Sequence, residues 1–222
     1  MTVPGKYLGG TPATWQEIEQ IGSALSNPHT FLGGPILFGA GSAGGQTALR
    51  KGDFHVDTLL HGSPAGALDK WFSGNIPSAL FSYEKEDPWS ELGASIICQH
   101  PNYPHVMCEI ETARGCSREV TGGCSFCTEP LYGKPQYRSL QGIKNEVSAL
   151  AQAGAAHFRI GRQPDILTWQ AGKGEFPAPK PDLIEELFSS VRTSAPSLKT
   201  LHIDNVNPGT IARHPEEACE AL

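Results

Sequence analysis

Apolar positions recur with two different periods along the chain, and these periods sort it into elements. Thr14-Trp-Gln-Glu17 has the form of a helix capping box, and Ile18, Ile21 and Leu25 continue one helical face. A short apolar run, Pro35–Phe38, predicts a strand, and Gly39-Ala-Gly-Ser-Ala-Gly-Gly45 follows it. Phe54 to Leu60 predicts a second strand, and Ser63 to Phe72 a helix. Together they predict a small α/β layer. Residues 73–105 are interrupted by Pro77, Pro88, Pro101 and Pro104 and predict an irregular connector, with strands at 79–83 and 94–98.

From residue 106 the pattern becomes regular. Val106 to Thr112 alternates with period two, as a strand does. Ser139 opens a helix with Leu140, Ile143, Val147, Leu150 and Ala151 on one face, closing at Gly154. Ala156 to Ile160 predicts a strand; Leu183, Ile184, Leu187, Phe188 and Val191 mark a helix; Leu198 to Ile203 predicts a third strand. Pro208 starts a further helical segment. Strand–helix–strand–helix–strand predicts parallel strands joined by crossovers. Three such units make half of a six-stranded barrel. The expected fold class is therefore α/β: a small Rossmann-like domain and connector over 1–97, then half a barrel over 98–222. Pro215 to Leu222 reads as a helix just begun, so the sequence is expected to be a piece of a longer chain.

Composition narrows the function classes. No run of 18 apolar residues exists, which predicts no membrane span, and Met1 to Gly10 lacks the apolar core of a signal peptide. The net charge of −6 and pI near 5.7 argue against a broad basic nucleic-acid face. They leave room for a local groove or a further domain. Cysteines stand at 98, 108, 116, 124, 127 and 219, three of them within twelve residues. That clustering suggests metal ligation in a reducing cytosol, and hence a cytoplasmic protein.

The clustered segment runs Gly115-Cys-Ser-Arg-Glu-Val-Thr-Gly-Gly-Cys-Ser-Phe-Cys-Thr-Glu-Pro130, a Cys-x7-Cys-x2-Cys spacing. A Cys-x2-Cys pair brings two thiolates to one metal, and Gly122 and Gly123 supply unusual backbone angles. Three sulfurs leave a structural zinc site one ligand short but suit an iron–sulfur cube with one open iron. A zinc site completed by Cys108 or a histidine, and a closed four-cysteine cluster, are the competing readings. Cys108 falls inside a predicted strand and is expected in the core, and Cys98 and Cys219 are expected to pack. The cysteine loop, Gly161-Arg162-Gln163 and Asp204-Asn205-Val206-Asn207 each follow a predicted strand at its carboxyl end, where parallel α/β folds bind ligands.

At these residues the sequence resembles the radical S-adenosylmethionine (SAM) superfamily. Cys124-Ser-Phe-Cys127 fits its pattern, although the first gap is seven residues rather than the usual three. Glu109-Ile-Glu-Thr112, Arg114-Gly-Cys116, Gly122 to Cys127, Phe158 to Gln163 and Leu201 to Thr210 resemble an uncharacterised archaeal radical SAM group that carries a C-terminal TRAM domain. Cys124 through Arg138 to Glu146 is distantly similar to tRNA methylthiotransferases. The resemblance implies that 98–222 is the first half of a radical SAM barrel. It implies a [4Fe–4S] cluster on Cys116, Cys124 and Cys127, with SAM on the fourth iron. It also implies a 5′-deoxyadenosyl radical, an external electron donor of flavodoxin or ferredoxin type, and RNA as a substrate reached through a downstream domain. By position, Phe126 lies beside the adenine. Gly161, Arg162 and Gln163 stand where the family binds the SAM amino group, with Gln163 in place of the family's acid. Arg138 is a candidate for the SAM carboxylate, its alternative being a solvated surface charge. Asp204 and Asn205 are candidates for the ribose, their alternative being strand-end capping.

Gly39-x-Gly41-x-x-Gly44 after a predicted strand matches a dinucleotide fingerprint, an isolated motif with a high false-positive rate. The stretch from Gly34 to Ala67 more resembles the cobalamin-type domain that precedes many radical SAM barrels. Asp53-Phe-His55 lacks the glycine that completes the cobalamin motif, so cobalamin is not expected. Two readings from other classes stand beside the radical SAM one: a zinc-stabilised binding module, and a Rossmann-type nucleotide-dependent oxidoreductase.

Overall fold

The computed structural model describes residues 15–25, 28–38, 54–124, 127 and 129–222. It is a mixed α/β chain with two parallel three-stranded sheets and one two-stranded antiparallel ribbon. The chain divides into two compact units, 1–82 with 122–131, and 83–121 with 132–222.

In the first unit, helix α1 (Trp15–Ala24) precedes a parallel sheet in the order β1 (Phe31–Gly33), β2 (Thr58–Gly62), β3 (Ser78–Ala79). Helix α2 (Pro64–Phe72) crosses from β2 to β3, and Ser63 caps it by accepting from the Gly66 amide at 3.0 Å. Thr30 donates from its amide and its hydroxyl to Asp57 Oδ2, each at 2.7 Å. The Thr30 amide is the main reason that the Asp57 carboxyl sits below its ordinary range. His29, Phe31 and Trp71 form an aromatic cluster with ring centroids 4.7–4.8 Å apart.

Three sequence expectations are corrected here. Pro35–Phe38 is a 3₁₀ turn, closed by Leu37 N–H on Gly34 O, with Gly34 at φ 86. A four-residue apolar run carries no period long enough to separate strand from turn. The expected strand at 79–83 is reduced to β3, because Tyr83 begins helix α3 (Tyr83–Gly93). That helix crosses the predicted connector in spite of Pro88. Residues 94–98 form part of a 3₁₀ helix (Ala94–Gln99), with Ile96 66% exposed, and not a strand. The glycine-rich segment 39–45 and the Asp53 of the cobalamin-like motif lie outside the described residues.

The second unit carries the regular pattern. Strands β4 (Met107–Ile110), β7 (His157–Ile160) and β8 (Thr200–Ile203) form a parallel sheet in sequential order, with Glu109 opposite Arg159 and Arg159 opposite His202. Helices α4 (Leu140–Gln152) and α5 (Pro181–Ser194) supply the crossovers. Ile143, Val147 and Leu150 of α4, and Leu187 and Val191 of α5, join Cys108, Ile110, Phe158 and Ile160 in one core. Each large side chain buried in this way stabilises the fold by roughly 1.5–3 kcal/mol. Cys108 is thus a core residue, as its strand position predicts. Ser139 accepts from the Gly142 amide at 3.0 Å to cap α4. Short strands β5 (Ala113–Arg114) and β6 (Gln136–Tyr137) pair antiparallel, so the cysteine loop leaves and returns through one ribbon. Helices α6 (Pro208–Arg213) and α7 (Pro215–Ala221) follow β8. Among the described residues no helix is long and apolar enough to cross a membrane.

Candidate functional site

Three strand ends of the second unit are tied together by two side-chain amides, one of them buried. Gln163 is 2% exposed. Its Nε2 donates to Ile160 O at 3.1 Å and to Asp204 O at 2.9 Å, and its Oε1 accepts from the Thr112 hydroxyl at 3.1 Å. One side chain therefore joins the residues that end or follow β4, β7 and β8. Asn205, in the left-handed region at φ 66, donates to Gly161 O at 2.7 Å and to Gln163 O at 3.0 Å. The Gly161–Gln163 and Asp204–Asn205 segments, which sequence order alone brings to the same sheet end, are in direct contact there. Gln163 fills its bonds within the protein, leaving one Oε1 lone pair.

The charged groups around these ends are paired. Arg159 donates from Nε to Asp204 Oδ2 at 3.1 Å, its Nη2 pairs with the same oxygen, and Nη1 stands 3.6 Å from Glu109. Glu111 receives Tyr83 Oη at 2.8 Å, Arg114 at 2.9 Å and Arg162 at 3.1 Å. Burial above all, and then Glu111, push the Tyr83 hydroxyl far above its ordinary range. Arg138 is 3% exposed, which excludes a solvated surface role. Its guanidinium pairs with Asp87 at 2.7 Å and with Glu146, and donates to the Glu111 and Gly142 carbonyls. Burial opposes its charge, but Glu146 and Asp87 outweigh burial and hold it protonated.

The cysteine loop shows backbone amides directed at sulfur. Arg118 N–H donates to Cys116 Sγ at 3.4 Å, and Glu129 N–H to Cys127 Sγ at 3.4 Å. Cys127 N–H closes a turn on Cys124 O at 3.1 Å. Amide donors of this kind favour a thiolate over a thiol. Gly115, at φ 87, packs too closely against the Gly133 and Lys134 carbonyls to carry a side chain. Beyond Cys116, Ser117 Oγ donates to Glu175 O at 2.9 Å, and Arg118 and Thr121 both reach the Glu175 carboxylate at 3.2 Å. Cys116 is buried, Cys124 and Cys127 are half-buried, and all six cysteines are free of disulfides. Cys116 belongs to the second unit and Cys124 and Cys127 to the first. Among the described residues, no three His, Cys, Asp or Glu side chains are grouped to hold a metal ion. The three thiols, two of them with amide donors on sulfur, are sulfur ligands of the kind an iron–sulfur cluster takes. Phe126 lies outside the described residues.

The chain is similar to two archaeal proteins. An uncharacterized protein of Methanocaldococcus jannaschii is 39% identical over 229 residues, an alignment that takes in 98% of this chain and 42% of the relative. An uncharacterized protein of Archaeoglobus fulgidus is 36% identical over 223 residues, covering 100% of this chain and 39% of the relative. The chain thus spans about two fifths of the length of these relatives. No family model matches it.

Sequence reading passed over three groups on the strands themselves. Glu109, Arg159 and His202 share one row of the sheet, on the face opposite the core. Their signal is the period-two alternation of Met107-Cys-Glu-Ile, His157-Phe-Arg-Ile and Leu201-His-Ile, in which the apolar partners point to the core. Asp165 was also missed. It is 5% exposed, caps the turn at Ile166–Thr168 and accepts from Thr210 Oγ1 at 2.6 Å. Burial raises its carboxyl above the ordinary range.

Proposed function

We propose that this chain is the N-terminal part of a radical SAM enzyme, with Cys116, Cys124 and Cys127 as ligands of a [4Fe–4S] cluster. The observation that carries this reading is the cysteine loop: a Cys-x7-Cys-x2-Cys triad, free of disulfides, with amides donating to two of its sulfurs. The parallel β4–β7–β8 order supports the first half of a (βα)6 barrel, because barrel strands are neighbours in sequential order. On this reading the first unit is a Rossmann-like domain. When bound, the cluster and SAM would supply radical chemistry toward the substrate, with Cys116, Cys124 and Cys127 holding the cluster.

The chain's own residues hold and screen that chemistry. Gln163 and Asn205 fix the strand ends where the SAM amino group and ribose are received, Asp204 offers an acceptor there, and Arg162 contributes a partly exposed guanidinium. The buried Arg138 anchors the start of α4 through Asp87 and Glu146, a positioning role. RNA as substrate, met through a downstream domain, and a flavodoxin- or ferredoxin-type electron donor follow from the resemblance alone.

The test is anaerobic purification with iron, sulfide and zinc analysis. The expected result is about four iron and four sulfide per chain, lost in Cys124→Ser. One stoichiometric zinc and no sulfide would overturn the reading in favour of the zinc-stabilised module.

A further inference from the structure

Seven residues separate Cys116 from Cys124, and a gap of that length leaves the first sulfur on a freer loop than a gap of three would. The second unit takes up that slack. Residues Ser117–Thr121 form a 3₁₀ turn, and three of the five meet Glu175. Ser117 Oγ donates to Glu175 O at 2.9 Å, and Arg118 Nε donates to Glu175 Oε1 at 3.2 Å. Thr121 Oγ1 lies 3.2 Å from the same carboxylate oxygen and 3.1 Å from Arg118 O, so its single proton is shared between them. The turn in its place presents the Arg118 amide to Cys116 Sγ at 3.4 Å.

Glu175 is itself held from behind by its neighbour. The Arg213 guanidinium of α6 lies 4.0 Å from the Phe176 ring centroid, and that of Arg118 lies 5.4 Å from it. His214 Nε2 is 3.0 Å from Phe176 O. A methyl group at Gly209 would stand 2.3 Å from the Phe176 ring, so the ring packs directly on the α6 backbone. The chain then enters α5 through Pro177, Pro179 and Pro181, whose rings fix φ, and the first two are buried. The Arg118 and Glu175 side chains are 25% and 32% exposed, and a lone ion pair at that exposure contributes little. What sets this one apart is its company: two hydroxyls and an aromatic ring, on an anchor that α6 and three prolines make stiff.

From this we infer that Glu175 is a positioning residue for the first sulfur ligand: it fixes the Ser117–Thr121 turn and thereby holds the Arg118 amide on Cys116 Sγ. The inference rests on the cluster reading above and adds to it a residue outside the cysteine loop. Ser117, Arg118 and Thr121 all belong to the seven-residue gap, so the anchor accounts for how the long spacing keeps its first cysteine in place. Hydrogen bonds to the sulfurs are one of the levers on a cluster's potential. A donor on a ligand sulfur favours the more negative, reduced state, so its loss moves the potential down.

The 222-residue chain is compared with its Glu175→Ala, Glu175→Gln and Arg118→Met variants. Without iron, amide hydrogen exchange over residues 116–121, followed by mass spectrometry, is expected to be about tenfold faster in Glu175→Ala and Arg118→Met, the loss of one charge-assisted bond. Glu175→Gln keeps the acceptor and is expected to fall between them and the wild type. After anaerobic reconstitution, the midpoint potential of the cluster is expected to move down in both Glu175→Ala and Arg118→Met. A through-space charge effect would move those two in opposite directions, because one variant removes an anion and the other a cation. Opposite shifts therefore overturn the inference, as does equal exchange over 116–121 in all four proteins. Faster exchange with an unchanged potential makes Glu175 a loop anchor only and likewise overturns the positioning role. A wild type that takes up no iron and sulfide overturns the cluster reading and the positioning role with it. The exchange contrast, measured without iron, tells that failure apart from the absence of the anchor.

Discussion

Gln163 shows how one buried polar side chain can organise a sheet end. Its three hydrogen bonds reach Thr112, Ile160 and Asp204, residues far apart in sequence. Replacing it with leucine strands buried partners, and an unsatisfied buried group costs about 1–3 kcal/mol. Gln163→Leu is therefore expected to lower unfolding stability by about 2–3 kcal/mol in urea titration, with Gln163→Glu less well tolerated at neutral pH than at acidic pH. Asp165 gives a pH-dependent prediction. Its folded-state pKa is raised by burial above the ordinary 3.8. A carboxyl with a raised pKa favours folding while protonated, and that contribution is lost as pH rises through the folded value. Stability of the wild type is thus expected to fall relative to Asp165→Asn as pH climbs from about 4 toward neutrality. Parallel denaturation curves for the two proteins over that window would count against the assignment. At this scale the sequence was partly legible. The positions of Gly161, Gln163, Asp204 and Asn205 at one sheet end followed from element order, but nothing in the residue types announced that Gln163 would turn inward to its neighbours.

Helix α4 was legible almost in full, and its entry explains why the chain starts it there. The apolar repeat of Ile143, Val147 and Leu150 sets its buried face, Ser139 caps it, and Gly154 at φ 96 ends the turn beyond it. Ser139→Ala is expected to cost about 1 kcal/mol by thermal or chemical denaturation. Just before the cap, Arg138 lies between Asp87 of α3 and Glu146 of α4. Removing one partner of a buried ion pair leaves the others uncompensated, so Arg138→Met is expected to lose about 3–5 kcal/mol. The same variant combined with Asp87→Asn and Glu146→Gln should recover much of that loss, which a three-way mutant cycle measures. The bracing has a steric counterpart. A side chain at Gly142 would run into the Asp87 carboxylate, so Gly142→Ala is expected to destabilise the protein despite alanine's better helix propensity. The short apolar runs at 35–38 and 94–98 were misread because four or five residues fit a strand, a turn or a 3₁₀ helix equally well. Only the partners available in the folded chain choose among them.

For the molecule as a whole, the sequence by itself determined the alternation of strand and helix from residue 106 onward, and with it a parallel sheet in sequential order. Periods of 2 and 3.6 leave little freedom once an apolar face must be buried. The cysteine spacing on which the cofactor proposal rests was also read there, because a spacing is a property of the chain and not of its folding. Tertiary structure alone decided the use of the polar groups. Arg138, open to reading as a surface charge, is buried between carboxylates of two helices. Glu109, Arg159 and His202, far apart in sequence, stand in one row because parallel registry places them there. Hydrophobic burial is non-directional and local patterns reveal it, whereas the pairing of charges depends on which side chains the crossovers bring within a few ångströms.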